Sequence, residues 1–264
     1  MKLEQFPLRG GAFLTGYIQD TYSDFGAGVA RPAVIICPGG GYVELSAREG
    51  EPFALACLAA GFQAFVLHYR LLPAQYPEQL WELAEAVSLV RRRAEALKTA
   101  PDRIFVMGAS AGGHLAAQLG TGWNGPCVRQ SGCDAALCRP NGMVLCYPVI
   151  DDIAEPFHAA MQQLSGASGW AEAQKALSVL PQVSAAAAPA FIWHTWEDQI
   201  VPVSNSLHMA EALAQHQVPF ELHIYRSGLH GQALCTAQTQ CADLPARPEN
   251  ADWFGRAVRF LNSL

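Results

Sequence analysis

Six short apolar, β-rich runs alternate with amphipathic stretches along this chain, and that alternation admits few folds. The runs cover residues 33–37, 64–68, 104–107, 143–146, 190–194 and 220–225. Strands that read as unbroken apolar runs are buried on both faces, as in a parallel sheet covered by helices. Between the second and third runs, Leu80, Leu83, Val87, Val90, Ala94 and Leu97 recur at three- and four-residue steps. That spacing lays one apolar stripe along a helix that Pro77 can open. Residues 51–60, 204–216 and 253–264 also read as helices. The order predicts one α/β domain over 1–264, a doubly wound and mostly parallel sheet whose ligands bind at the carboxyl ends of its strands. Residues 151–188 are long for a crossover, and a small cap over the site is expected there.

Composition narrows the function classes. Of 264 residues, 51% are hydrophobic and only 15% charged, enough apolar surface to offset the entropy of ordering the backbone. A net charge of −6 argues against a nucleic-acid partner, which needs a clustered basic face. The one basic run, Arg91-Arg92-Arg93, reads as the solvated face of a helix. No apolar stretch approaches the roughly 18 residues of a membrane span. No secretory signal is visible in MKLEQFPLRGGAF, so a reducing cytoplasm with free thiols is expected. Cys37, Cys57 and Cys146 lie in apolar runs and read as small buried hydrophobes. Cys127, Cys133 and Cys138 crowd one loop, but no second Cys or His pair accompanies them, so neither a metal nor another cofactor is expected.

The chemistry concentrates in four places. RIFVMGASAGGH, Arg103 to His114, reads as a strand, then Gly-x-Ser-x-Gly, then a small-residue helix start. Such a turn projects a serine oxygen above the sheet, and side chains at the flanking glycines would collide. Ser110 is therefore the candidate nucleophile, with an ordinary glycine-rich β–α turn as the other reading. Upstream, IICPGGGY ends the first run, and its glycines can point backbone N–H groups at a ligand. Amides of Gly40, Gly41 and Ala111 would form an oxyanion hole. A phosphate loop is the rival, but neither of the usual glycine signatures is present. Downstream, FIWHTWEDQIVP runs from a strand into an acidic turn, and SGLHG places a histidine between glycines after the last strand. Ser110, Asp198 and His230 follow the chain order of an α/β-hydrolase triad. Asp151, Asp152 and Glu197 are alternative carboxylates. His114 is expected to pack beneath the turn, and His158 to lie in the cap.

These motifs together resemble the α/β-hydrolase superfamily, and more narrowly the small bacterial esterases related to hormone-sensitive lipase and acetyl-xylan esterases. The resemblance covers nearly the whole chain: Pro38-Gly39-Gly40-Gly41-Tyr42, His68-Tyr69-Arg70-Leu71, Gly108 to His114, Asp198 to Pro202, and Gly228 to Gly231. Pro38 stands where the lipase-type motif opens with histidine, which points to the acetyl-xylan-esterase-like branch and to small acyl groups on sugars. The resemblance implies a serine carboxylesterase with a small-molecule ester substrate, such as an acetylated xylo-oligosaccharide. Two rivals are a serine peptidase of the prolyl-oligopeptidase type, and a non-catalytic binding protein on a hydrolase scaffold that has lost a triad member. Trp193 and Trp196 flank the acid turn; ordinary core packing is the first reading for each, and packing on a sugar ring at the mouth of the site is the other.

Overall fold

The computed structural model describes residues 1–20 and 30–264. Its strands are β1 (Lys2–Pro7), β2 (Phe13–Ile18), β3 (Arg31–Cys37), β4 (Gln63–His68), β5 (Thr99–Ala109), β6 (Met143–Cys146), β7 (Ala190–Thr195) and β8 (Phe220–Tyr225). The helices are α1 (Glu51–Ala59), α2 (Glu78–Arg92), α3 (Ala94–Leu97), α4 (Ala111–Gly122), α5 (Pro126–Gln130), α6 (Ala135–Cys138), α7 (His158–Ser165), α8 (Trp170–Leu177), α9 (Ser204–Gln215) and α10 (Asp252–Ser263). The strands form a single sheet in the order β1-β2-β4-β3-β5-β6-β7-β8. From β4 to β8 every neighbouring pair is parallel, while β1–β2 and β2–β4 are antiparallel. This is an α/β-hydrolase fold.

All six expected strands are present, and the antiparallel pair β1–β2 is an addition. The helix expected over 80–97 divides at Arg93 into α2 and α3. Alternation along the central strands sorts side chains to the two faces. Ile35, Phe65, Val106, Leu145 and Ile192 pack toward α2, α4 and α9. Val34, Ile36, Val66, Phe105, Met107, Val144 and Trp193 pack toward α1 and α10. Both faces are therefore covered, which is why these strands carry no polar alternation. Among the described residues, no helix is long and apolar enough to cross a membrane.

Residues 151–188 carry α7 and α8, which bury Met161, Leu164, Ala173 and Leu177. Three backbone hydrogen bonds anchor this segment beside the carboxyl edge of the sheet. Val179 N–H donates to Ile150 at 3.0 Å, Tyr76 N–H to Leu164 at 2.9 Å, and Ala154 N–H to Ile200 at 2.8 Å. The 121–141 region folds into α5 and α6, and Trp81 donates its indole N–H to the Cys127 carbonyl at 2.9 Å. All eight cysteines are free thiols.

Candidate active site

Ser110 joins β5 to α4 with φ 53° and ψ −118°, a conformation that costs a non-glycine residue about 1–3 kcal/mol. Packing enforces it. A Cβ at Gly108 would lie 2.0 Å from the Gly112 carbonyl oxygen, and one at Gly112 would lie 1.9 Å from that of Cys37. Only glycine at both positions lets the start of α4 close onto β5 and the end of β3. The backbone is pinned as well: Ser110 N–H donates to Cys146 at 3.0 Å, and its carbonyl accepts from His114 and Val149.

The acid turn after β7 and the loop after β8 converge on this serine. His230 Nε2 lies 2.7 Å from Ser110 Oγ, and Nδ1 lies 2.6 Å from Asp198 Oδ2. Asp198 Oδ1 accepts the Ile200 and Val201 N–H groups, each at 2.9 Å. Burial opposes ionisation of Asp198, yet hydrogen bonds from His194, His230 and the Val201 N–H outweigh it and hold the carboxyl well below the usual range. The acid turn and histidine loop are also tied to each other. Thr195 Oγ1 donates to the Gly228 carbonyl at 2.8 Å, and Gly228 N–H donates to Glu197 at 3.1 Å.

Facing this trio is a cleft of about 300 Å³ whose walls include Gly40, Gly41, Val43, Ile153, Phe157, Ile200 and Leu244. Gly40 and Gly41 take φ values of 118° and 62°. Among the described residues, neither of their N–H groups has a protein acceptor. Ala111 opens α4, so its N–H is one of those a helix leaves without an intrahelical partner.

Two residues that sequence reasoning passed over support this wall. Glu49 is buried, with Oε2 accepting the Gly39 N–H at 2.8 Å and Oε1 accepting the Tyr147 hydroxyl at 2.7 Å. The Tyr147 hydroxyl oxygen accepts the Ala233 N–H at 3.0 Å, and its ring meets His230 edge-on with centroids 5.1 Å apart. The one clue in the sequence was an acid beside an apolar helix start, in AREGEPFAL. Glu49→Ala leaves a buried N–H and a buried hydroxyl short of a partner. It is expected to lower stability by about 1–3 kcal/mol and kcat/KM at least tenfold, checked by urea unfolding and ester kinetics.

The remaining candidates fall elsewhere. Asp151 Oδ2 pairs with the exposed His208 at 3.1 Å, and Asp152 Oδ1 accepts the Ile153 N–H at 2.9 Å, so neither carboxylate touches His230. His114 is buried, with Nδ1 2.7 Å from the Tyr42 hydroxyl, and burial lowers its pKa to about 4. His158 stacks on Trp170 with centroids 3.8 Å apart. Neither tryptophan lines the cleft, and Trp193 takes the core-packing role. Trp193 is fully buried and stacks on Trp253 in the core, because its position in β7 points away from the cleft. Trp196 is 67% exposed and does not line the cleft, whose aromatic residue is Phe157. Among the described residues, no group of three His, Cys, Asp or Glu side chains could hold a metal ion.

The BD-FAE family model matches residues 19–213, most of the chain. The chain belongs to the BD-FAE family. As a BD-FAE member it is 32% identical over 209 residues to endo-1,4-beta-xylanase B of Butyrivibrio fibrisolvens, covering 77% of this chain and 33% of that protein. It is 28% identical over 209 residues to an acetylxylan esterase of Xylanibacter ruminicola, covering 75% and 40%. The chain thus spans less than half the length of these curated relatives. The carboxylesterase Cest-2923 of Lactobacillus plantarum superposes with a TM-score of 0.91 at 32% identity, covering 100% of this chain and 98% of that one.

Proposed function

We propose that this chain is a serine carboxylesterase that removes short acyl groups, acetyl above all, from small ester substrates such as acetylated xylo-oligosaccharides. The observation that carries the reading is the hydrogen-bonded line Ser110–His230–Asp198, ending in a cleft beside unpaired glycine amides. Ser110 Oγ attacks the ester carbonyl while His230 Nε2 takes its proton. Asp198 holds the imidazole and stabilises its charged form. The amides of Gly40, Gly41 and Ala111 receive the charge that develops on the carbonyl oxygen. His230 then protonates the departing alcohol, and water attacks the acyl-enzyme with His230 again as base. No metal or organic cofactor enters these steps. Residues 151–188 act as a small cap, with Ile153 and Phe157 closing one side of the cleft. The free thiols suit a reducing cytoplasm.

Support for a small acyl group comes from cleft size and from the acetylxylan esterase among the relatives. A cleft of about 300 Å³ sits at the lower end of ligand pockets. Each buried methylene adds only about 0.8 kcal/mol, and that gain ends where the chain meets the wall. Across p-nitrophenyl esters, kcat/KM is expected to peak between acetyl and butyryl and to fall at least tenfold by octanoyl, a loss of about 1.4 kcal/mol. Acetate release from acetylated xylo-oligosaccharides should accompany it and vanish in Ser110→Ala. A kcat/KM that rises through decanoyl would overturn the short-acyl reading.

A further inference from the structure

Asp198 serves two histidines rather than one. His194, the fifth residue of β7, is fully buried, and its Nε2 lies 3.2 Å from Asp198 Oδ2 and 2.9 Å from the Val201 carbonyl oxygen. Both are acceptors, so Nε2 carries a proton and shares it between them. Its Nδ1 lies 2.7 Å from Ser206 Oγ, near the start of α9, and in this tautomer accepts the hydroxyl proton. The line of donors therefore runs inward from both ends. Ser206 donates to His194 and His194 to Asp198, while Ser110 donates to His230 and His230 to the same Asp198 oxygen.

We infer that His194 is a positioning residue for the esterase reaction: its N–H fixes the Asp198 carboxylate and sets how strongly that carboxylate pulls on His230. The inference rests on the Ser110–His230–Asp198 reading. The physical reason is the sharing of one oxygen. Oδ1 is already held by two backbone N–H groups. Oδ2 would otherwise direct its whole lone-pair density at His230. A second donor on Oδ2 withdraws part of that density and locks the carboxylate plane, so His230 is oriented without being bound too tightly to its proton. The buried site keeps water from substituting for the lost donor.

Other charged or titratable groups surround His230, and the variants must leave them in place. Tyr147 packs against its ring, with Glu49 behind the Tyr147 hydroxyl. Arg48 approaches the adjacent Gly231, Glu44 lies across the cleft, and Glu197 accepts the Gly228 N–H. None of these contacts His194, so a change there reaches His230 through Asp198.

The experiment is the pH profile of kcat/KM for p-nitrophenyl acetate in His194→Leu, His194→Gln, Ser206→Ala and Ser110→Ala, with thermal unfolding of each. In His194→Leu the acid limb is expected to move to higher pH by about 0.5 unit or more, and kcat to fall about tenfold or more, with KM changing less than threefold. His194→Gln, whose amide nitrogen can reach the Nε2 position, should bring the limb back toward the parent protein. Ser206→Ala removes only the far end of the line and keeps the assay informative if His194→Leu does not fold. By weakening the Nε2–H donor it should also move the limb to higher pH, by a smaller amount, with KM again unchanged. An acid limb that stays put in folded His194→Leu, or in Ser206→Ala when His194→Leu is unfolded, overturns the inference, as does equal loss in the Leu and Gln variants with no shift. Turnover that survives Ser110→Ala would instead overturn the serine reading on which the inference stands.

Discussion

Ser110→Ala is expected to lower kcat by about 10⁴ or more while the protein stays folded. The side-chain oxygen makes one protein hydrogen bond, to His230, so its removal costs little stability. The three backbone hydrogen bonds that hold the turn are untouched. Ser110→Gly separates the two roles of this position. It should be as inactive as the alanine variant, yet at φ 53° it relieves backbone strain and should match or exceed the parent protein in urea unfolding. Near-normal turnover in either variant would remove the serine from the mechanism.

Asp198→Asn is expected to lower kcat by about 10²–10⁴, and the geometry gives the reason. In the aspartate, both oxygens accept: two backbone N–H groups on Oδ1, and two imidazoles on Oδ2. An asparagine can present its oxygen to only one side. If the oxygen stays with the Ile200 and Val201 amides, the amide N–H₂ faces His230 Nδ1 and forces the tautomer protonated at Nε2. That nitrogen can then no longer accept the Ser110 proton. Asp151→Asn and Asp152→Asn, whose carboxylates serve His208 and a local backbone N–H, should each cost less than about tenfold. Kinetics of the three variants at one pH check the assignment, and a large loss at residue 151 or 152 would move the acid away from residue 198.

The parts of this molecule that were legible in its sequence are those where local pattern and tertiary role coincide. The five strands β3 to β7 are buried on both faces, so they read as apolar runs and register without any neighbour being known, and the half-buried edge strand β8 registers through its β-branched and aromatic residues. Gly108, Ser110 and Gly112 are legible because they form one short pattern, although only the collision at Gly108, with the Gly112 carbonyl, is local, and that at Gly112 is with the distant Cys37 carbonyl. The hairpin β1–β2 hid because it lies at the sheet edge. β1 buries only Phe6, and Gly16 interrupts β2 where a Cβ would stand 3.0–3.1 Å from the rings of Phe6 and Phe65. Glu49, Tyr147 and His194 were illegible as a site because their partners are distant in sequence or depend on how a turn folds. Glu49 meets Tyr147 across 98 positions. Only the sugar-ring reading of the tryptophans fails, because proximity to the acid turn in sequence says nothing about which face of β7 a side chain takes, and Trp193 takes the one that packs on α10.

Covalent labelling tests the central claim most directly. The protein is mixed with a fluorophosphonate, or quenched early in turnover of p-nitrophenyl acetate, and peptides are mapped by mass spectrometry. A single adduct on the peptide bearing Ser110, absent from Ser110→Ala, is the predicted result. An adduct on the neighbouring cleft residue Ser46, or ester hydrolysis with no adduct at any serine, would contradict the account.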